Sequence, residues 1–117
     1  MIIEENISRK ECTNRIIAIH DVMDILNGKW KVSIIACLCY QKMRYTDILK
    51  EVKGISGKML SRDLKELESN LLITRTVVTT QPIAVEYELT EYGSTLKNVI
   101  NVIAEWGFEH RKKIIAK

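Results

Sequence analysis

Residues 45–70 constrain the fold more than any other stretch of the chain. Tyr45, Ile48, Leu49 and Val52 recur at spacings of three and four, which places them on one face of a short helix over Arg44–Val52. Lys53-Gly54-Ile55 then forms a brief turn containing glycine, and Ser56 is suited to cap the helix that follows. That helix is predicted from Ser56 to Asn70, and its faces separate when residues are stepped by about 100° around the axis. Leu60, Leu64, Leu67 and Leu71 gather on one side, while Lys58, Arg62, Lys65 and Ser69 gather on the other, with Ser61 at the flank. Two helices joined by a short glycine turn, the second with a basic outer stripe, form a helix-turn-helix pattern.

The flanking segments complete a mainly helical α+β chain. Ile16, Ile17, Ile19, Val22, Met23, Ile25 and Leu26 recur at helical spacing until Asn27-Gly28, which suits a helix end. The run from Lys29 to Tyr40 is apolar nearly all round, as a buried central helix requires. After Leu72 the β-branched run Ile73–Thr80, the turn Gln81-Pro82 and the alternating Val85–Leu89 predict a two-stranded hairpin. Thr90 caps a last helix carrying Leu96, Val99, Ile100, Val102, Ile103, Trp106 and Phe108, an apolar stripe too wide for one neighbour. Ile16, Ile19, Val99, Val102, Ile103 and Trp106 are therefore expected at a contact with a second subunit. Residues 1–10 are expected to form a loose arm and the final Ile-Ala-Lys to be loose, within a single domain over residues 1–117.

Charge and cysteine content narrow the function. The overall charge of +3 is concentrated: residues 1–28 carry −2, residues 29–75 carry +5, and residues 76–117 are neutral. A basic central segment is the footprint expected of a nucleic-acid partner. No run approaches the roughly 18 apolar residues of a membrane span, and the acidic start does not fit a secretory signal, so a cytoplasmic location is expected. Three cysteines at irregular spacing do not form a disulfide scaffold, and Cys37 and Cys39 read as small core side chains. His20 and His110 lack ligand spacing, so no metal is expected. With no phosphate loop, nucleophile elbow or zinc motif, the sequence implies neither a catalytic residue nor a cofactor. A winged module for protein contact is the alternative class, and it calls for an apolar or acidic outer face where this chain has Lys58, Arg62 and Lys65.

Several phrases, in order, resemble the HxlR-type winged helix-turn-helix regulators, a MarR-like group. They are Cys12, Asp24–Lys31 (DILNGKWK), Met43–Ile48 (MRYTDI), Gly54–Glu68 (GISGKMLSRDLKELE), Val85–Gly93 (VEYELTEYG) and Glu105-Trp106-Gly107, covering residues 12–110. The resemblance implies a homodimer, joined through its terminal helices, that binds a pseudo-palindromic operator in double-stranded DNA. It also implies a redox or small-molecule signal in some members, with Cys12, placed ahead of the first helix, as the redox candidate. On this reading the helix over residues 56–70 enters the major groove. Ser56, Lys58, Ser61, Arg62 and Lys65 then face DNA, Arg62 reads a base, and Arg44, Tyr45 and Thr46 touch the backbone. Two positions depart from the family pattern: Thr13 stands where proline commonly follows the cysteine, and Ile83-Ala84 stand where a basic residue commonly precedes the Val-Glu-Tyr phrase.

Overall fold

A computed structural model describes residues 8–116. Ser8 begins α1 (Arg9–Ile25), its Oγ accepting from the Glu11 amide at 3.1 Å. The elements that follow are α2 (Lys31–Leu38), β1 (Met43–Arg44), α3 (Tyr45–Glu51) and α4 (Gly57–Ser69). They continue with β2 (Ile73–Thr80), β3 (Ile83–Leu89), α5 (Glu91–Ser94) and α6 (Lys97–Ile115).

The core lies where α2, α3 and α4 converge on the start of β2. Ile34 and Ile35 of α2, Ile48 of α3, Leu60, Leu64 and Leu67 of α4, and Ile73 of β2 are fully buried. The apolar face predicted for α4 is thus the packed one, and α2 is the central helix its composition demanded. Gly54, at φ +95°, makes the turn between α3 and α4, and a side chain there would press on the Trp30 ring.

Several expectations need correction. The wing is a three-stranded antiparallel sheet in the order β1-β3-β2, because Met43 pairs with Tyr87 and Arg44 with Glu86. Two residues of strand carry no readable alternation, so the sequence concealed β1. Leu71 does not join the buried leucines. It is 70% exposed, at φ +63°, and forms the left-handed residue that ends α4. Residues 8–10, expected to be loose, form the cap and first turn of α1, which places Cys12 inside the helix. Thr13 permits this: it supplies the backbone N–H that a proline would lack, and its Oγ1 donates to the Arg9 carbonyl at 3.0 Å. The last helix is two helices. Thr90 Oγ1 accepts from the Gly93 amide at 2.8 Å to start α5, and Thr95 and Leu96 then bond to carbonyls three residues back, breaking the regular ladder. Ile115 is helical and Ala116 caps α6, while the loose ends expected at residues 1–7 and 117 lie outside the described residues.

α1 and α6 project from this core. No α1 side chain is buried, and Ile100 is the single buried residue of α6. The radius of gyration is 17.3 Å, against about 13 Å expected for a compact chain of similar length. No helix among the described residues is long and apolar enough to cross a membrane.

Candidate nucleic-acid interface

The outer face of α4 is built by its own periodicity. Burial of Leu60, Leu64 and Leu67 leaves Lys58, Ser61, Arg62 and Lys65 exposed on the opposite surface. They form two strips. Ser61, Lys65 and Glu68 face the wing, and Lys58 and Arg62 occupy the other flank.

The wing-facing strip lines a cleft of about 590 Å³ together with Arg44, Tyr45, Thr46, Arg75 and the β3 residues Ile83, Ala84, Val85 and Tyr87. Five of the eight residues expected at the interface, Arg44, Tyr45, Thr46, Ser61 and Lys65, therefore meet in one concavity. Lys58 and Arg62 lie outside it on the exposed flank. Ser56 is occupied as the cap of α4, its Oγ accepting from the Met59 amide at 3.1 Å.

Tyr45 acts within the protein. Its hydroxyl donates to the Gly57 carbonyl at 3.0 Å and lies 3.1 Å from Ser61 Oγ, so it clamps the first turn of α4 against α3. With the phenol proton on Gly57, Ser61 donates to Tyr45 and keeps its lone pairs for an outside donor.

Arg75 was missed in the sequence. It pairs across the sheet with Tyr87 and shares a strand face with buried Ile73, and that two-residue parity was the available signal. Burial pushes the Tyr87 phenol up, and the adjacent Arg75 guanidinium opposes the shift. The cleft thus carries the cations Arg44, Lys65 and Arg75 against one carboxylate, Glu68.

A second group, also missed, lies behind α4. Buried Lys31 contacts Asn27 at 2.7 Å, forms a close ion pair with Glu66, and sits 3.9 Å from Asp63 Oδ1. The hydrogen bond and charge of Lys31 hold the Glu66 carboxyl below its usual value. Among the described residues no buried side-chain polar atom lacks a partner.

Residues expected at a subunit contact are solvent-facing in the single chain. Ile16 and Ile19 lie on α1, and Val99, Val102, Ile103 and Trp106 on α6, all exposed. Cys12 is exposed on α1. Burial pushes the Cys37 and Cys39 thiols up, which favours their neutral form. Among the described residues no cluster of three or more His, Cys, Asp or Glu is arranged to hold a metal.

Comparison with known proteins agrees with this architecture. The model of the HxlR-like helix-turn-helix family matches residues 25–114. The HTH-type transcriptional regulator YtcD of Bacillus subtilis (strain 168), itself uncharacterized, is 34% identical over 98 residues, 84% of this chain and 78% of that protein. Among solved structures, the redox regulator HypR in its reduced form superposes with a TM-score of 0.78 at 30% identity, covering 86% of this chain and 99% of that one. Reduced YodB, a transcriptional regulator from B. subtilis, gives 0.65 at 31% identity over 86% and 90% of the two chains. With its helix-turn-helix, wing and terminal helices in this order, the chain belongs to the HxlR-like helix-turn-helix family of transcriptional regulators.

Proposed function

We propose that the protein is a sequence-specific, double-stranded DNA-binding regulator that acts as a homodimer in the cytoplasm, with residues 1–117 forming one winged domain. One observation carries the reading: the exposed strip of α4, the start of α3 and Arg75 of the wing converge on a single cationic cleft. A phosphate backbone entering that cleft meets Arg44, Thr46, Lys65 and Arg75, while Lys58 and Arg62 reach the groove floor from the outer flank. The N-terminal amides of α4 add a favourable site for a further phosphate. The protein performs no catalysis in this role and requires no cofactor.

The apolar faces of α1 and α6 support pairing with a second copy. Among the described residues eighteen large apolar side chains are exposed, and most of them lie on these two helices, a concentration that marks an association surface. Pairing there sets two copies of α4 about one duplex turn apart, roughly 34 Å, which calls for a pseudo-palindromic site. Cys12 is the proposed redox-responsive group. Its exposure in the first turns of α1, ahead of the proposed pairing residues Ile16 and Ile19, supports this, as does the likeness to HypR, a redox regulator.

Selection of bound duplexes from a random pool, with reduced protein, tests the reading. The expected product is an inverted repeat. Arg62→Ala then lowers discrimination between that repeat and random duplex by roughly 1–3 kcal/mol, whereas Lys65→Ala weakens both and reduces the salt slope by about 1. A folded protein that enriches no sequence at low salt would instead be a protein-contact module.

A further inference from the structure

Lys31 carries an ammonium buried to 3% exposure behind α4, where it contacts no solvent-facing edge of the cleft. Three oxygens surround it, from Asn27 just past the end of α1 and from Asp63 and Glu66 of α4. Asn27 Nδ2 donates to the Asp24 carbonyl at 2.9 Å, which turns its side-chain oxygen toward Lys31. Burying a charge costs several kcal/mol before pairing restores it, and apolar replacements of buried pairs are commonly as stable. Stability alone therefore gives little reason for this cluster.

Asp63 supplies a reason. Its carboxylate is 4% exposed, and the same oxygen, Oδ1, has Lys31 Nζ on the inner side and Arg62 Nε at 3.7 Å on the outer side. Arg62 itself is 61% exposed. Contact through Nε steadies the guanidinium while leaving its two terminal nitrogens for a bidentate base contact.

We propose that Lys31 is a positioning residue for sequence readout. By neutralising Asp63 from within, it keeps the Arg62 fork at the surface of α4, and through Asn27 it ties that pose to the end of α1. The inference rests on the DNA-binding reading above. Without Lys31, the buried Asp63 charge draws the whole Arg62 fork inward. Without the Asp63 charge, Arg62 loses its support. Either change removes base discrimination and spares the phosphate contacts of Lys65, Arg44 and Arg75.

The test uses full-length protein and two readouts, one of them free of DNA. The Arg62 Nε–H resonance is followed by NMR in wild type, Lys31→Met and Asp63→Asn, and affinities are measured for the selected and random duplexes. The resonance is expected to move in both variants. Each variant is expected to lower the selected-to-random ratio by about 5- to 100-fold, with random-duplex affinity held within about two-fold because no phosphate contact changes. In an Arg62→Ala background neither variant should lower the ratio further. An unmoved resonance, equal losses on both duplexes, or additive losses in that background would overturn the proposal. If Lys31→Met does not fold, the nearly isosteric Asp63→Asn carries both readouts. Recovery of no preferred duplex would defeat the DNA-binding reading, while the resonance still decides whether Lys31 and Asp63 hold Arg62.

Discussion

Thr90 Oγ1 donates a hydrogen bond to the Leu71 carbonyl oxygen at 2.6 Å, joining the end of the wing to the end of α4. Leu71 stands at φ +63°, where α4 is closed by bonds from the Leu71 amide to Glu68 and from the Leu72 amide to Leu67. The Thr90 amide also bonds to the Leu72 carbonyl at 3.0 Å, so the strained residue is held from both sides. Leu71→Gly relieves about 1–2 kcal/mol of steric strain and adds roughly 0.5–1 kcal/mol of backbone entropy cost. Urea unfolding should show a gain of up to about 1.5 kcal/mol for Leu71→Gly, and a loss of about 1–2 kcal/mol for Thr90→Ala.

Acid should weaken the protein through Glu66. Lys31 holds its folded pKa below the ordinary 4.5, so the unfolded chain binds the proton first. The resulting stability is fully present above about pH 4.5 and disappears as pH falls through the lower folded value. Glu66→Gln is expected to be less stable than wild type at neutral pH. The difference should shrink as thermal unfolding is followed to progressively lower pH, and a constant gap would contradict the assignment.

Thiol accessibility divides the cysteines. Burial disfavours the thiolates of Cys37 and Cys39, and Cys12 is exposed. A chromogenic disulfide reagent should titrate one fast thiol per native chain, and this fast phase should vanish in Cys12→Ser. All three thiols should react in denaturant.

Self-association should depend on the middle of α6. Val102 is 65% exposed in the single chain, and a carboxylate placed there would be desolvated in a dimer without a partner. Val102→Asp should sediment as a monomer at concentrations where wild type is dimeric, with lower affinity for the paired half-sites and unchanged non-specific affinity per chain.

Arg75 should contribute charge without sequence preference. It lines the cleft from β2, opposite Lys65 of α4. Arg75→Ala is expected to weaken binding to every duplex alike and to lower the salt slope by about 1. A loss confined to one base position would make it a reader of sequence.

The legible parts of this fold were those in which one element carries enough residues for its period to show. The leucine face of α4, the glycine turn before it and the alternation of Val85–Leu89 each predict a contact that forms. β1 escaped because its two residues acquire strand geometry only by pairing with β3. Leu71 escaped because the helical wheel continues past the point where the backbone reverses. At the site, the basic stripe was visible because solvent-facing residues repeat along the helix. Lys31, Asp63 and Glu66 belong to different elements, so their meeting is a product of tertiary packing. Tyr45 begins α3 as the spacing predicts, yet its hydroxyl bonds, which depend on α4 lying alongside, have no local signal in the sequence.

The clamp from Tyr45 to Gly57 and Ser61 bears on how specificity is inherited within this group of regulators. A segment such as 57–69 is not a portable reading head, because its pose is set by a phenol twelve residues upstream and an ammonium on another helix. Transplanting the segment into a relative without those supports would carry over the letters and lose their alignment with the groove. On the proposed reading of α4 as the element that meets the operator, exchange of operator preference between such proteins calls for residues 31 and 45 to travel with the helix they hold.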